Sequence, residues 1–156
     1  MFEVDYKYGK NNGLKTHWYS NGNTWYARNY KLGVQDGLWT EWYFNEKIKF
    51  KGYFKNGNKD GLSTSWYSNG HKKLEGHYKN AKKDGLSTSW FKSGKKLYQR
   101  YYKDGEKDGL DTEWYLNGVK MIEKHYKNGV KDGRWTKWSK DGEKIYEKHF
   151  KNGKEQ

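Results

Sequence analysis

The residues that could do chemistry in this chain recur at fixed intervals. Asp precedes Gly at 36, 60, 84, 108 and 132, with Asn12 in the corresponding earlier place. His77, His125 and His149 share one column of the same spacing, and Ser63, Ser65, Ser87 and Ser89 alternate along two stretches. Carboxylates on successive hairpins would lie roughly 9.5 Å apart, a distance comparable to that of an inverting glycosidase pair. Repetition alone produces that distance. Asp before Gly is also what a tight turn uses, because Asp tolerates the left-handed region and bonds nearby backbone N–H groups. Histidines roughly 9.5 Å apart cannot share a zinc ion whose ligands lie about 2 Å from the metal; they read as exposed strand residues, and His17 and His71 are isolated. The chain has no Cys, and its serines have no fixed His–Asp arrangement. No glycine loop opens a helix to cradle phosphate. The expectation is a non-enzyme with no catalytic residue, metal site or cofactor, which leaves binding as the live class.

The elements that position these residues repeat with a period of 24. Gly recurs at 13, 37, 61, 85, 109 and 133, Thr at 16, 40, 64, 88, 112 and 136, and Trp at 18, 42, 66, 90, 114 and 138. An aromatic followed by Lys stands at 6, 30, 54, 78, 102, 126 and 150. Within each unit the period is two, as in "GLWTEWYF", and Thr, Trp and Tyr favour strands. Turn dipeptides such as Asn21-Gly22, Asn69-Gly70 and Asn117-Gly118 follow, then a second strand such as 48–54, then a second turn such as "KNGNKDG". Each unit is therefore a β-hairpin. The predicted fold is all-β, a single-layer antiparallel ribbon of about twelve or thirteen strands in which neighbouring units stabilise one another. It is read as one repeat array over 1–156: a partial unit 1–12, then units near 13–36, 37–60, 61–84, 85–108, 109–132 and 133–156. The array opens on a second strand, and Arg134 and Ser139 make its last unit more polar, as a cap would be.

Aromatics make up 19% of the chain while all apolar residues reach only 32%, so rings must be buried without much aliphatic filling. The formal net charge is +13, and ten lysines face only Asp60 and Glu75 between 47 and 83. Such a balance attracts anions, and clustered Lys also protects sheet edges. No apolar run approaches the roughly 20 residues of a membrane span, and the start has no signal-peptide h-region. The compartment stays open between cytoplasm and secretion or cell surface.

Turn chemistry sets which rings share a face. A two-residue Asn-Gly turn would put Trp42 on the face of Lys49 and Lys51. A three-residue loop with Gly in the left-handed region, preferred because it gathers the ring columns on one side, places Leu38, Thr40 and Trp42 with Phe50, Gly52 and Phe54. Arg28, Arg100, Lys124 and Lys148 occupy the place of Gly52 in other units and could stack on rings. Trp18, Trp42, Trp66, Trp90, Trp114 and Trp138, with Gly37, Gly61, Gly85, Gly109 and Gly133, read as the structural frame. The opposite face then carries Trp39, Tyr43, Lys49, Lys51 and Tyr53, continued by Tyr67, Lys73, Phe91 and Tyr101. Rings interleaved with cations suit an acidic, partly apolar protein surface. The same rings also serve a one-layer sheet as cross-strand pairs.

The segments "YKNGVKDGRWTKW" and "WYSNGHKKLEGHYKNAKKDG" resemble the MORN-repeat variant found in many bacterial proteins: an aromatic-Lys turn closing on Asp-Gly, then Trp-Thr, then Asn-Gly-Lys. The resemblance covers essentially the whole chain and departs from the pattern at Glu46, Ala81 and Arg134. It implies a hairpin ribbon and an antitoxin-like or otherwise neutralising partner of another protein, a toxin in that case. Related repeats are implied to bind proteins or acidic phospholipids. The leading expectation is a scaffold that occludes an acidic protein surface. A peripheral binder of acidic lipid or another polyanion is the alternative, on the line of Lys at 7, 31, 55, 79, 103, 127 and 151. Nucleic acid is disfavoured by nineteen interspersed acids. The short Trp-Tyr hairpins are also similar to choline- or glucan-binding cell-wall repeats, a carbohydrate reading that the positive charge opposes.

Overall fold

The computed structural model describes residues 2–156, and it divides into two compact units, 1–82 and 83–156. Met1, where the partial first unit begins, lies outside the described residues. In the first unit the strands are β1 (Phe2–Lys7), β2 (Lys10–Trp18), β3 (Thr24–Lys31), β4 (Val34–Trp42), β5 (Ile48–Lys55), β6 (Asn58–Trp66) and β7 (Lys72–Lys79). In the second they are β8 (Lys82–Trp90), β9 (Lys96–Lys103), β10 (Glu106–Trp114), β11 (Lys120–Lys127), β12 (Val130–Trp138), β13 (Lys144–Lys151) and the short β14 (Lys154–Glu155). Within each unit the strands follow chain order, every neighbour antiparallel, and no helix occurs among the described residues. The all-β hairpin ribbon read from the sequence is the observed fold.

Two kinds of turn alternate. Trp42 leads into a three-residue loop: the Tyr43 N–H bonds the Lys47 carbonyl at 2.8 Å, and Glu46 at its end has a φ of 64°. The other turns have two residues, both with positive φ, as at Asn56 (50°) and Gly57 (80°). This is the twist-matched hairpin turn that Asn-Gly favours. Glu46 and Ala81 hold the same left-handed conformation where other units have glycine. The Ala81 N–H still bonds the Lys59 carbonyl at 2.9 Å, and the Glu46 N–H the Tyr43 carbonyl at 3.0 Å.

The three-residue loop matches the sequence reading, yet the faces do not. Trp42 lies opposite Ile48, but Glu41 lies opposite Phe50, so Lys49 is an extra residue. A one-residue bulge of this kind shifts every following side chain to the other face. Trp25, Lys73, Leu97, Met121 and Ile145 are skipped in the same way. Trp39 and Glu41 therefore share a face with Phe50, Gly52 and Phe54, while Leu38, Thr40 and Trp42 share the other with Lys51 and Tyr53.

Little of the chain forms an apolar core. Phe54 and Phe150 are the buried apolar side chains, whereas Thr40, Thr64, Thr88, Thr112 and Thr136 are all buried. On their face the threonines meet a polar ladder. Thr64 Oγ1 donates to Glu75 at 3.2 Å and Thr136 Oγ1 to Glu147 at 3.4 Å, while Lys72 and Lys144 pair with the same carboxylates. Repeats are also latched to one another. Tyr19, Tyr43 and Tyr115 donate their hydroxyls to the carbonyls of Trp42, Trp66 and Trp138, at 2.8, 2.8 and 3.0 Å. The Asp column does not serve its own turn. Asp36, Asp60, Asp108 and Asp132 accept the N–H of Asn56, Asn80, Asn128 and Asn152, one repeat further on.

Candidate functional site

In each unit one cross-strand row runs down the middle of the Trp39 face, and its side chains differ between repeats in size and charge. In residues 1–82 it reads Lys15, Arg28, Trp39, Gly52, Ser63 and Gly76. Arg28 is held between the Tyr26 and Trp39 rings, 4.2 and 4.0 Å from their centroids. Trp39 packs on Phe50 at 4.9 Å and on Phe54 at 5.3 Å. Beyond Trp39 the row turns small. A Cβ on Gly52 would come within 2.8 Å of both Phe50 Cζ and Ser63 Oγ, so the ring and the hydroxyl require glycine there.

Beside the row, where small Ser65 lies opposite Phe50, is a cavity of about 310 Å³, lined by Trp39, Tyr43, Phe50, Ser65, Lys59 and Lys73 among others. A smaller hollow of about 130 Å³ adjoins it through Phe50, Lys59 and Ser65, and ends at Leu74 and Tyr78. Lys59 Nζ stands 5.1 Å from the Phe50 centroid and 5.0 Å from that of Tyr78, within cation–π range. Lys49 donates to Glu41 at 2.7 Å; that bond, opposed by burial, raises its pKa.

In residues 83–156 the same row reads Ser87, Arg100, Asp111, Lys124, Trp135 and Lys148. Asp111 is 1% exposed and takes Arg100 at 3.1 Å and Lys107 at 2.6 Å. Glu113 takes Arg100 at 3.0 Å and Lys124 at 3.4 Å. Burial works against the Arg100 charge, but Asp111 and Glu113 outweigh it and raise its pKa. Here the row is filled with paired charge.

The structure gathers Trp39, Tyr43, Lys49 and Lys73 around one cavity and places Lys51 and Tyr53 on the opposite face, against Leu62, Thr64 and Trp66. The expected single ring-and-lysine face is thus two faces, for the bulge reason given above. Tyr67 lies beside Lys73, its ring 5.7 Å from the ammonium. Phe91 and Tyr101 belong to the second unit, Phe91 in a three-residue loop and Tyr101 exposed on β9 opposite Leu86. The Trp column ends the strands β2, β4, β6, β8, β10 and β12, half-buried at every position. Gly37, Gly61, Gly85, Gly109 and Gly133 have φ of 102–106°, where L residues are strained. The stacking foreseen for the basic residues in the Gly52 place occurs at Arg28 and also at Arg100, 3.9 Å from the Tyr98 ring.

The sequence reading missed Lys59 and Phe50. Lys59, Lys83, Lys107 and Lys131 form a column of their own, each just before the Asp-Gly. Each ammonium lies over a ring of the next repeat: Tyr78, Tyr102, Tyr126 and Phe150, at 5.0, 4.7, 4.8 and 4.8 Å. That spacing was visible in the sequence, though its role was not.

No group of His, Cys, Asp and Glu among the described residues could hold a metal ion, and no described helix is long and apolar enough to cross a membrane. His125 Nδ1 instead meets the Arg134 carbonyl at 3.0 Å. Fold and site together define a β-hairpin repeat protein whose repeats share a frame of common columns and differ at the positions between them. Residues 35–56, 59–80, 83–104, 107–128 and 131–152 match the MORN repeat variant, and the chain belongs to that family. The hairpin of 13–36 keeps the same columns outside the matched segments. No curated protein matches the chain. Repeats of this kind bind proteins or membranes.

Proposed function

We propose that this chain is a non-enzymatic scaffold that binds another protein through an acidic surface of that partner. The observation that supports this most is the cavity of residues 1–82, where rings and lysines meet within a stretch holding nine lysines and only two acids from 47 to 82. Aromatic anchors carry binding energy, while surrounding charge selects the partner and speeds encounter. Binding of this kind blocks a partner by covering it, as an antitoxin-like protein covers a toxin. The test is recovery of a partner on the tagged chain, followed by association rates across a salt series. An acidic partner whose on-rate falls steeply with salt supports the reading. A partner whose affinity is unchanged from low to high salt contradicts the charge-based part of it.

A second reading is peripheral binding to acidic lipid. It is favoured by Lys7, Lys31, Lys55, Lys79, Lys103, Lys127 and Lys151, all exposed beside the two-residue turns. Surface lysines of this sort attract anionic headgroups at roughly 1 kcal/mol each. Equal sedimentation with neutral and with phosphatidylserine vesicles removes this reading.

A further inference from the structure

We infer that the cavity between Trp39, Phe50 and Ser65 is an anchor pocket for one aromatic side chain of an acidic protein segment. This rests on the acidic-partner reading and specifies where and how the partner is held. The pocket exists because Ser65, which lies opposite Phe50, is small. At the place of Ser65 the earlier repeats carry His17 and Glu41, at that of Ser63 they carry Lys15 and Trp39, and at that of Gly52 they carry Arg28. With Ser65 in the place of His17 and Glu41, the Phe50 ring forms a floor that only the Lys59 ammonium overlies from β6, 5.1 Å from its centroid.

The remaining volume is about 310 Å³. It lies at the lower end of pockets that bury a ligand, enough for one ring and too little for a folded element. Trp39, Tyr43 and Trp66 supply apolar walls, and ring against ring in offset or edge geometry adds to the area buried. Lys49, Lys59 and Lys73 border the same space with one acid, Glu41, which holds Lys49 at 2.7 Å, so residues flanking the inserted ring meet net positive charge. A bare polyanion would leave the apolar walls unused, and a neutral peptide would gain nothing from the excess of the three lysines over Glu41. An acidic segment with one ring satisfies both.

Calorimetric titration of the full chain tests this, with two probes: a short polyglutamate peptide bearing one central tryptophan, and the same peptide with alanine in its place. The ring-bearing peptide should bind about tenfold more tightly or better. Ser65→Trp, which fills the pocket from within, should abolish that difference while leaving the alanine peptide unchanged. Lys59→Glu should weaken both peptides, and Lys103→Glu, in the other unit, neither. Far-ultraviolet circular dichroism identifies a variant that has not folded, and Ser65→Leu then replaces Ser65→Trp with the same expectation. Equal binding of the two peptides, unmoved by filling the pocket, overturns the anchor and leaves the acidic-partner reading standing. Binding of neither peptide overturns both. Tighter binding of single-stranded oligothymidylate than of the ring-bearing peptide assigns the pocket to a stacked base and overturns the protein segment as occupant.

Discussion

The same cross-strand row is built in two ways in this molecule. Around Trp39 it is rings, then glycine and serine, with a hollow beside them. Around Asp111 it is a paired cluster of Arg100, Lys107, Glu113 and Lys124. The frame is common to both: the Thr column is buried from Thr40 to Thr136, and the Asp and Tyr latches recur in each unit. A repeat protein can therefore hold its backbone constant with one set of residues while the positions between them differ. The charged version satisfies itself internally. The ring-and-small version leaves surface that a partner can complete.

This contrast can be broken first where charge is buried. Asp111→Ala leaves Arg100 and Lys107 without their shared carboxylate in a site of 1% exposure. It should destabilise residues 83–156 by about 3 kcal/mol, the low end for breaking a buried pair because Glu113 still holds Arg100. Hydrogen exchange followed by mass spectrometry should show the loss in that unit; uniform protection would deny that the cluster supports it. Trp39→Ala is the counterpart in the other unit. It removes the ring contacts with Phe50, Phe54 and Arg28 and should cost about 2 kcal/mol, below the full-core value because Trp39 is half-buried. Denaturant melts of the two variants side by side show whether charge or rings bear more of the frame.

Smaller changes sharpen the picture. Ala81 has a φ of 66° where other two-residue turns place glycine. Ala81→Gly should therefore stabilise the chain by about 1 kcal/mol, seen as a raised denaturation midpoint. The smallest expected effect is a pH dependence at His17, whose pKa is lowered by burial and then by the charge of Lys15. Because the folded value lies below the ordinary one of 6.5, the unfolded chain takes up the proton first. Stability from this residue is present above pH 6.5 and is lost as pH falls through that value. Urea midpoints at pH 8 and pH 5.5 should differ less in His17→Gln than in the parent.

Strict columns made the fold legible, since a period of two inside a period of 24 permits only hairpins joined in order. The three-residue loop was legible only as the turn that gathers the ring columns on one side; the loop is present, but that grouping is not. The faces were not legible. A bulge at Lys49 leaves no mark in residue type, because Trp25, Met121 and Ile145 hold the same place with quite different side chains. One unseen residue sent Phe50 and Phe54 to Trp39 rather than to Trp42. The candidate site was therefore legible in its letters, Trp39, Tyr43, Lys49 and Lys73, but not in its floor. The Asp column shows the same limit, since its bonds reach a turn of the next repeat that no local pattern reveals.

The central claim is that the Trp39 face of residues 1–82 meets an acidic partner while the Trp42 face does not. Lys59 and Lys51 lie in the same unit on opposite faces, one bordering the cavity and one beside Tyr53. Charge reversal at each changes the net charge equally. Titration with the ring-bearing glutamate peptide should show Lys59→Glu weakening binding about tenfold and Lys51→Glu by no more than about twofold. Equal losses in the two variants would mean that overall charge, and not this face, holds the partner.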